Sequence, residues 1–373
     1  MSASLEPGRG TSRHSGRGSL VCLRAKGPKR TRNSLPKQIK RNNRLDTNAV
    51  AADPSEAVSM RQTEALRINQ QINEKLWQER LGGPTERTSV SRKDALESCA
   101  WNPASTHKEK EKLWTTLVEE AREVASEEPV LASFFHMTVI MHSSLEKSMA
   151  FLLANKLASP TLLGTQLTRL ILDAYNDEPE LLEACVADLN AVFDRDPACE
   201  RYLQCLLFFK GFQATQVHRI AHWMWKKGRR ALALALQSRM SEVFDVDIHP
   251  GATLGKGLMM DHASGIVIGE TAIVGDNVSL LHHVTLGGSG TGTGSRHPIV
   301  GNGVLLGAGV SVLGSVVVGH CTKVGAGSVV VTDVPPHCVA VGVPAKVVKQ
   351  LQDDDIPTRD MDQIGDFYFD YVI

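Results

Sequence analysis

Val300-Gly-Asn-Gly-Val-Leu-Leu306-Gly-Ala-Gly-Val-Ser-Val312-Leu-Gly-Ser-Val-Val-Val318-Gly-His-Cys-Thr-Lys-Val324-Gly-Ala-Gly-Ser-Val-Val330 sets an aliphatic residue at every sixth position. Helices repeat every 3.6 residues and strands every 2, so a step of six belongs to neither alone. It suits a chain wound as a triangular prism with one short flat strand per side. The aliphatic residue points inward, and a small neighbour such as Gly307 or Gly325 lets the chain turn at the corner. Upstream, Ile248, Leu254, Met260 and Ile266 keep the same step, and after a two-residue offset Ile268, Val274, Leu280 and Leu286 resume it. These fourteen positions predict a parallel β-helix over residues 244–348. The step is broken twice, at Ile266–Ile268 and in the Gly-rich stretch between Leu286 and Val300.

The remainder is read outward from that block. The chain has 373 residues and no net charge, but residues 1–45 hold twelve Lys and Arg against one acid, Glu6. The rest therefore carries 29 basic and 40 acidic residues, a net of −11, which is a poor match for nucleic acid. The segment 1–45 lacks an apolar run and has the composition of an organelle transit peptide. Residues 46–106 are a polar linker in which Leu66, Ile68, Ile72 and Leu76 mark one amphipathic stretch. Seven scattered cysteines with no Cys-x-x-Cys suit reduced thiols better than a disulfide framework. No apolar run approaches the ~18–20 residues of a membrane span.

Residues 107–243 read as an all-α domain. Glu119-Glu-Ala-Arg-Glu-Val124, Ala150-Phe-Leu-Leu-Ala-Asn-Lys-Leu157 and Arg229-Arg-Ala-Leu-Ala-Leu-Ala-Leu236 are dense in strong helix formers. Pro129, Pro160, Pro179 and Pro197 stand near the starts of successive segments, where a missing N–H costs least. His218 and His222 share a helical face, but no Glu completes a metal motif, and they are expected to be structural. Asp196-Pro197 is a good helix start in its own right.

Candidate chemistry sits in the β-helix. Asp247 and His262 are fifteen residues apart, slightly less than one eighteen-residue turn, so neighbouring turns are expected to bring them together. A histidine with a carboxylate on its second nitrogen is the usual base for deprotonating a hydroxyl. In the extruded loop, Arg296 has the guanidinium suited to gripping a carboxylate bidentately.

Five motifs carry a family resemblance: Val246-Asp-Ile-His-Pro-Gly251, Met260-Asp-His-Ala-Ser-Gly265, Val284-Thr-Leu-Gly-Gly288, Arg296-His-Pro298 and the closing Gly342-Val-Pro-Ala345. Together they resemble the serine acetyltransferases among the hexapeptide-repeat acyltransferases, and the likeness extends from about Leu113 to the last residue. The resemblance implies a left-handed coil, a hand that spacing does not give. It implies acetyl transfer from acetyl-CoA to L-serine, with His262 as base, Asp247 as its orienter and His297 as a second active-site histidine. Asp196, Asp261 and Arg296 match residues that hold serine. Gly288, Ala308, Gly309, Lys323, Ala326 and Ser328 match the family's CoA groove, although each is equally a turn residue of the prism. A homotrimer or a dimer of trimers is implied, with the loop meeting the dyad across a subunit boundary, and no metal.

This chain also departs from the family. Gly288-Ser-Gly-Thr-Gly-Thr-Gly-Ser-Arg-His-Pro-Ile299 lacks two lysines and an aspartate common in that loop. Residues 349–373 are read as a flexible acidic tail ending Asp370-Tyr371-Val372-Ile373, which resembles plant-type members. That likeness points to a chloroplast address, with mitochondrion or cytosol as alternatives, and to docking on O-acetylserine (thiol) lyase by C-terminal capture. Three other readings compete. A sugar or antibiotic acceptor fits an amino-acid zwitterion site built on Asp196 and Arg296 poorly. A carbonic anhydrase would need three metal-binding histidines, and the close His-x4-His pair is absent here despite His249, His262, His282, His283, His297 and His320. A catalytically vestigial scaffold conflicts with an intact Asp–His pair.

Overall fold

The computed structural model describes residues 106–290, 294–352 and 354–362. The transit-peptide segment, nearly all of the linker and Asp370, Tyr371, Val372 and Ile373 lie outside the described residues. Helix α1 (Thr106–Glu127) is followed by a 3-10 turn, α2 (Ala132–Phe135), a π turn (His136–Ile140), α3 (Leu145–Leu157) and α4 (Gly164–Asp177). Next come α5 (Glu180–Arg195), α6 (Tyr202–Phe208), α7 (Lys210–Lys226) and α8 (Arg230–Phe244). Buried side chains surround α7 on nearly every face, from Gly211 to Met224, as expected of a central helix. Asp245 ends α8 in the left-handed region at φ 58°, a role usually given to Gly or Asn, and the chain enters its first strand one residue later.

Fifteen short strands follow among the described residues. They are β1 (Val246–Ile248), β2 (Thr253–Leu254), β3 (Met259–Met260), β4 (Ile266–Ile268) and β5 (Ile273–Val274). Then come β6 (Ser279–Leu280), β7 (Thr285–Gly287), β8 (Ile299–Val300), β9 (Leu305–Leu306) and β10 (Ser311–Leu313). The last are β11 (Val317–Val318), β12 (Lys323–Val324), β13 (Val329–Val330), β14 (Cys338–Val341) and β15 (Lys346–Gln350). They form three sheets, ordered β1-β4-β7-β10-β13, β11-β8-β5-β2 and β15-β14-β12-β9-β6-β3. Every pairing is parallel except β14 with β15, giving a left-handed β-helix of about five turns.

Register explains the repeat. Ile248 lies beside Ile268, Ile268 beside Leu286, Leu286 beside Val312 and Val312 beside Val330, one inward column on one sheet. An undisturbed coil takes 18 residues, as in Ser311 to Val329. Met259 to Ser279 takes 20, because the β3–β4 corner is longer by two residues. Thr285 to Ser311 takes 26, because the loop after β7 adds eight. Both irregularities are therefore insertions at corners, and the stack of strands above and below them is undisturbed.

The helices sit on the first coil: α8 and α7 pack on β1, while α7 and α5 pack on β3. One continuous apolar core runs from Leu113 through the helices into the prism as far as Ala340. Asp188 on α5 and Arg219 on α7 form a buried ion pair, 2.8 Å apart, at this junction. Arg219 also donates to Gly255 O at 2.6 Å, and the Leu258 N–H donates to Asp188 at 2.9 Å. Such a pair tolerates burial only because its remaining hydrogen-bonding positions are filled. After β15 the chain returns over the outer face of the third sheet, and α9 (Pro357–Asp360) packs against α5.

Candidate active site

Three edges separate the three sheets, and two of them gather the candidate site residues. Along the first, the β3–β4 corner presents Asp261 and His262, with His262 and Ala263 both left-handed at φ 54° and 57°. His262 projects with 76% of its side chain exposed and makes no side-chain hydrogen bond among the described residues. Its Nε2 lies 3.7 Å from Asp261 Oδ1, and its ring meets His282 of the next coil edge-on at 6.0 Å. Asp196, which caps the C-terminus of α5 and accepts a 2.9 Å bond from the Ala198 N–H, stands close enough to raise the Asp261 pKa. Burial is the larger cause of that rise.

Below this group the same edge continues as a column of small residues. The Gly309 N–H donates to His282 O at 2.9 Å, and the Gly327 N–H donates to Ala308 O at 2.8 Å. Ala308, Gly309, Ala326 and Ser328 therefore stack beneath His282, with the Ser328 hydroxyl accepting the Gly342 N–H at 3.0 Å. Lys323 does not join them at the edge. It points outward from β12, only 5% of its side chain is exposed, and its Nζ lies 3.7 Å from Asp362 of the returning segment.

The second edge gathers His249, Glu270, Arg296 and His297. Arg296 Nη2 donates to Glu270 Oε2 at 2.8 Å, and this bond is the main reason the Glu270 carboxyl is held below its ordinary range. The Thr271 hydroxyl accepts the Arg296 N–H at 3.1 Å and lies 2.9 Å from His297 Nδ1. The Thr271 backbone N–H donates to the same Nδ1 at 3.2 Å. An Nδ1 that accepts leaves the single proton of a neutral ring on Nε2, so His297 is presented as an Nε2–H donor. Burial, then Arg296, lowers its pKa and favours that neutral form. Gly269 and Gly288 leave room for the ring: a Cβ on Gly269 would overlap it, and one on Gly288 would lie 3.1 Å from Nε2.

Asp247 lies between the two edges, on the outward side of β1 beside Val267. Its Oδ1 accepts from Gln237 Nε2 of α8 at 2.7 Å. The hydrogen bond expected between Asp247 and His262 is not made within the single chain. The extra length of the β3–β4 corner carries His262 away from β1, and Gln237 takes the aspartate. From the start of β4 at Ile266 to Glu270 the chain advances about four residue steps, roughly 13 Å at strand rise. One chain thus holds Asp196, Asp261 and His262 on one edge and Arg296 with His297 on the other, with Asp247 between.

Elsewhere, His222 Nδ1 lies 2.8 Å from Pro250 O and His218 is buried, both within the packing of α7 on the first coil. Among the described residues no group of three or more His, Cys, Asp or Glu side chains is placed to hold a metal. Glu270 and Thr271 were not anticipated from the sequence. They lie 26 residues before Arg296 and His297, one coil with its loop, so the spacing becomes a signal only once the register is known.

Residues 113–217 match the family model for the serine acetyltransferase N-terminal region. The chain is 53% identical over 263 residues to probable serine acetyltransferase 1 of Oryza sativa subsp. japonica, covering 70% of this chain and 87% of that protein. It is similar to soybean serine acetyltransferase complexed with serine, at a TM-score of 0.64 and 55% identity over 64% of this chain and 99% of that one. It is also similar to the Brucella abortus serine acetyltransferase in complex with coenzyme A, at 0.64 and 44%, covering 65% and 96%.

Proposed function

The chain belongs to the serine acetyltransferases, and from that premise we propose that it transfers acetyl from acetyl-CoA to the hydroxyl of L-serine, giving O-acetylserine for cysteine synthesis. The observation that carries this reading is the exposed His262, without a side-chain hydrogen bond among the described residues, beside an Asp261 that Asp196 influences, at the head of a groove-like column of small residues. His262 accepts the serine hydroxyl proton as the oxygen attacks the thioester carbonyl carbon. The tetrahedral intermediate collapses with cleavage of the C–S bond, and the proton passes from His262 to the departing CoA sulfur. Asp196 and Asp261 face the serine ammonium. Arg296, aligned by Glu270, takes the carboxylate, and the Nε2–H of His297 donates to the developing oxyanion.

Two such edges approach one another when copies of the chain associate side by side, which is why we assign the working enzyme as a trimer or a dimer of trimers. In that assembly Asp247 orients His262, the role its motif carries in the family. The pantetheine arm runs along Ala308, Gly309, Ala326 and Ser328, with Gly288 supplied from the facing edge. Lys323 reaches the nucleotide end only when the segment bearing Asp362 moves aside. The acid-poor segment 1–45 and the plant relatives support a plastid address. The Asp370-Tyr371-Val372-Ile373 tail supports docking on O-acetylserine (thiol) lyase. Deleting residues 368–373 should abolish that binding and spare acetyl transfer.

The deciding experiment is release of CoA thiol with L-serine against a panel of sugars. Serine-dependent release supports the reading. Release with a sugar and none with serine overturns it.

A further inference from the structure

We propose that Arg195 is a positioning residue of the acceptor pocket: it rivets the end of α5 to the first two coils and thereby sets Asp196 against Asp261. Arg195 is the last residue of α5, and Asp196 leaves the helix as its cap at φ −98° and ψ 106°. The Arg195 guanidinium spans two coils. Nη1 donates to Gly257 O at 3.0 Å and Ser279 Oγ at 3.3 Å, and Nη2 donates to Asn277 Oδ1 at 3.0 Å. Those acceptors surround the strand that bears the site. Gly257 leads into β3, Ser279 pairs with Met259 of β3, and Asp261 follows β3 directly. The anchor and the residue it positions are therefore adjacent in the chain, and their targets lie on either side of one two-residue strand.

The acceptors are themselves fixed. Asn277 sits at φ 56° and Gly257 at φ 70°, and the Asn277 N–H donates to Lys256 O at 2.8 Å. A simple stabilising clamp would be redundant here. Two turns earlier, Asp188 already ties α5 to Arg219 and to the Leu258 N–H. Without Arg195 the last turn keeps its own bonds, Asp196 N–H to Val192 O and Ala198 N–H to Asp196, but loses the guanidinium's ties to the coils, and helix ends are where fraying begins. Removing Arg195 leaves the helix docked and lets the direction of Asp196 wander. This inference rests on the reading of Asp196 and Asp261 as holders of the serine ammonium.

The test uses the full chain as Arg195→Gln, Arg195→Lys, Asp196→Asn and the double variant Arg195→Gln/Asp196→Asn. Melting temperature and KM for each substrate are measured. A misplacement of about 1 Å in a binding group can cost up to ~100-fold. Arg195→Gln is expected to raise the serine KM about tenfold, leave the acetyl-CoA KM within about twofold, and lower the melting temperature by about 2–8 °C without unfolding the chain. Arg195→Lys keeps one anchor and should fall between. It also serves if the glutamine variant does not fold. In the Asp196→Asn background, Arg195→Gln should add no further loss for serine. The proposal is overturned if Asp196→Asn raises the serine KM while neither Arg195 variant does, or if the two effects multiply in full. If Asp196→Asn itself leaves the serine KM unchanged, the acceptor reading of Asp196 falls first and takes this proposal with it.

Discussion

Gly211→Ala tests how tightly the helices set the geometry of the acceptor corner. Gly211 lies at the start of α7 where the helix backbone touches β3. A Cβ there would overlap the Met260 carbonyl oxygen and stand 3.0 Å from both Met260 C and Ala263 Cβ. Comfortable contact between such atoms needs roughly 3.5–4 Å, so helix and strand must part by on the order of 1 Å. The strand cannot yield freely, because the Asp261 N–H is bonded to Leu280 O at 2.9 Å. Overpacking of this kind costs about 1–3 kcal/mol, and alanine's better helix propensity returns about 0.5–1. The net loss of about 0–2.5 kcal/mol corresponds to a fall of up to roughly 10 °C in melting temperature for a body of this size, at about 2–4 °C per kcal/mol.

The catalytic loss should be larger than the loss of stability. Met260 and Ala263 bracket Asp261 and His262, so any shift is delivered to the residues proposed to bind serine and accept its proton. A displacement of about 1 Å predicts a fall of roughly 10–100-fold in kcat/KM for serine. Thiol release under varied serine, beside a thermal melt, reads both quantities. Gly164→Ala is the control, since its Cβ would meet only ordinary contacts at 3.7–3.9 Å. If Gly211→Ala melted within about 1 °C of the parent and kept its kcat/KM within twofold, the close approach of α7 to β3 would not govern the site.

Further outcomes are expected. His262→Ala should remain a folded oligomer and lose about 10²–10⁴ in turnover, with Asp247→Asn losing less; near-parental turnover in His262→Ala, free of contaminating enzyme, would remove the base from the mechanism. Because burial raises the Asp261 carboxyl, that group protonates at a higher pH than an ordinary aspartate, so the serine KM should climb early as pH falls. Asp261→Asn should abolish that acid limb, and a limb that persists in the variant would belong to another group. Asp188→Ala strands Arg219 in the interior and should cost about 3–5 kcal/mol in urea unfolding, whereas a loss below about 1 kcal/mol would mean that water reaches the junction.

The prism was legible in the sequence because its determinant is local and periodic. Each inward position, from Ile248 to Val330, must be aliphatic, and most corners carry a small residue. Such a constraint repeats once per side whatever else the chain does, so counting sixes recovers it. The two breaks in the count were legible too, and both are corner insertions that bear residues of the proposed site. One bears His262 and the other bears Arg296 and His297. The roles proposed for those side chains rest on long family motifs, since one histidine in a corner looks like any other.

What the sequence did not disclose depends on contacts between distant segments. Arg195 meets Gly257, Asn277 and Ser279 across separations of 62, 82 and 84 residues, and no period links them. Glu270 and Thr271 meet Arg296 and His297 only because an eight-residue insertion makes that coil 26 residues long. Gln237 reaches Asp247 from a helix whose angle on β1 is set by packing. Lys323, a plausible groove cation from its neighbours in sequence, is buried because the chain returns over that face after β15. Periodicity specifies which way a residue points within its own coil. Which partner it meets is decided by where the other segments come to rest, and that follows from the packing of the whole chain.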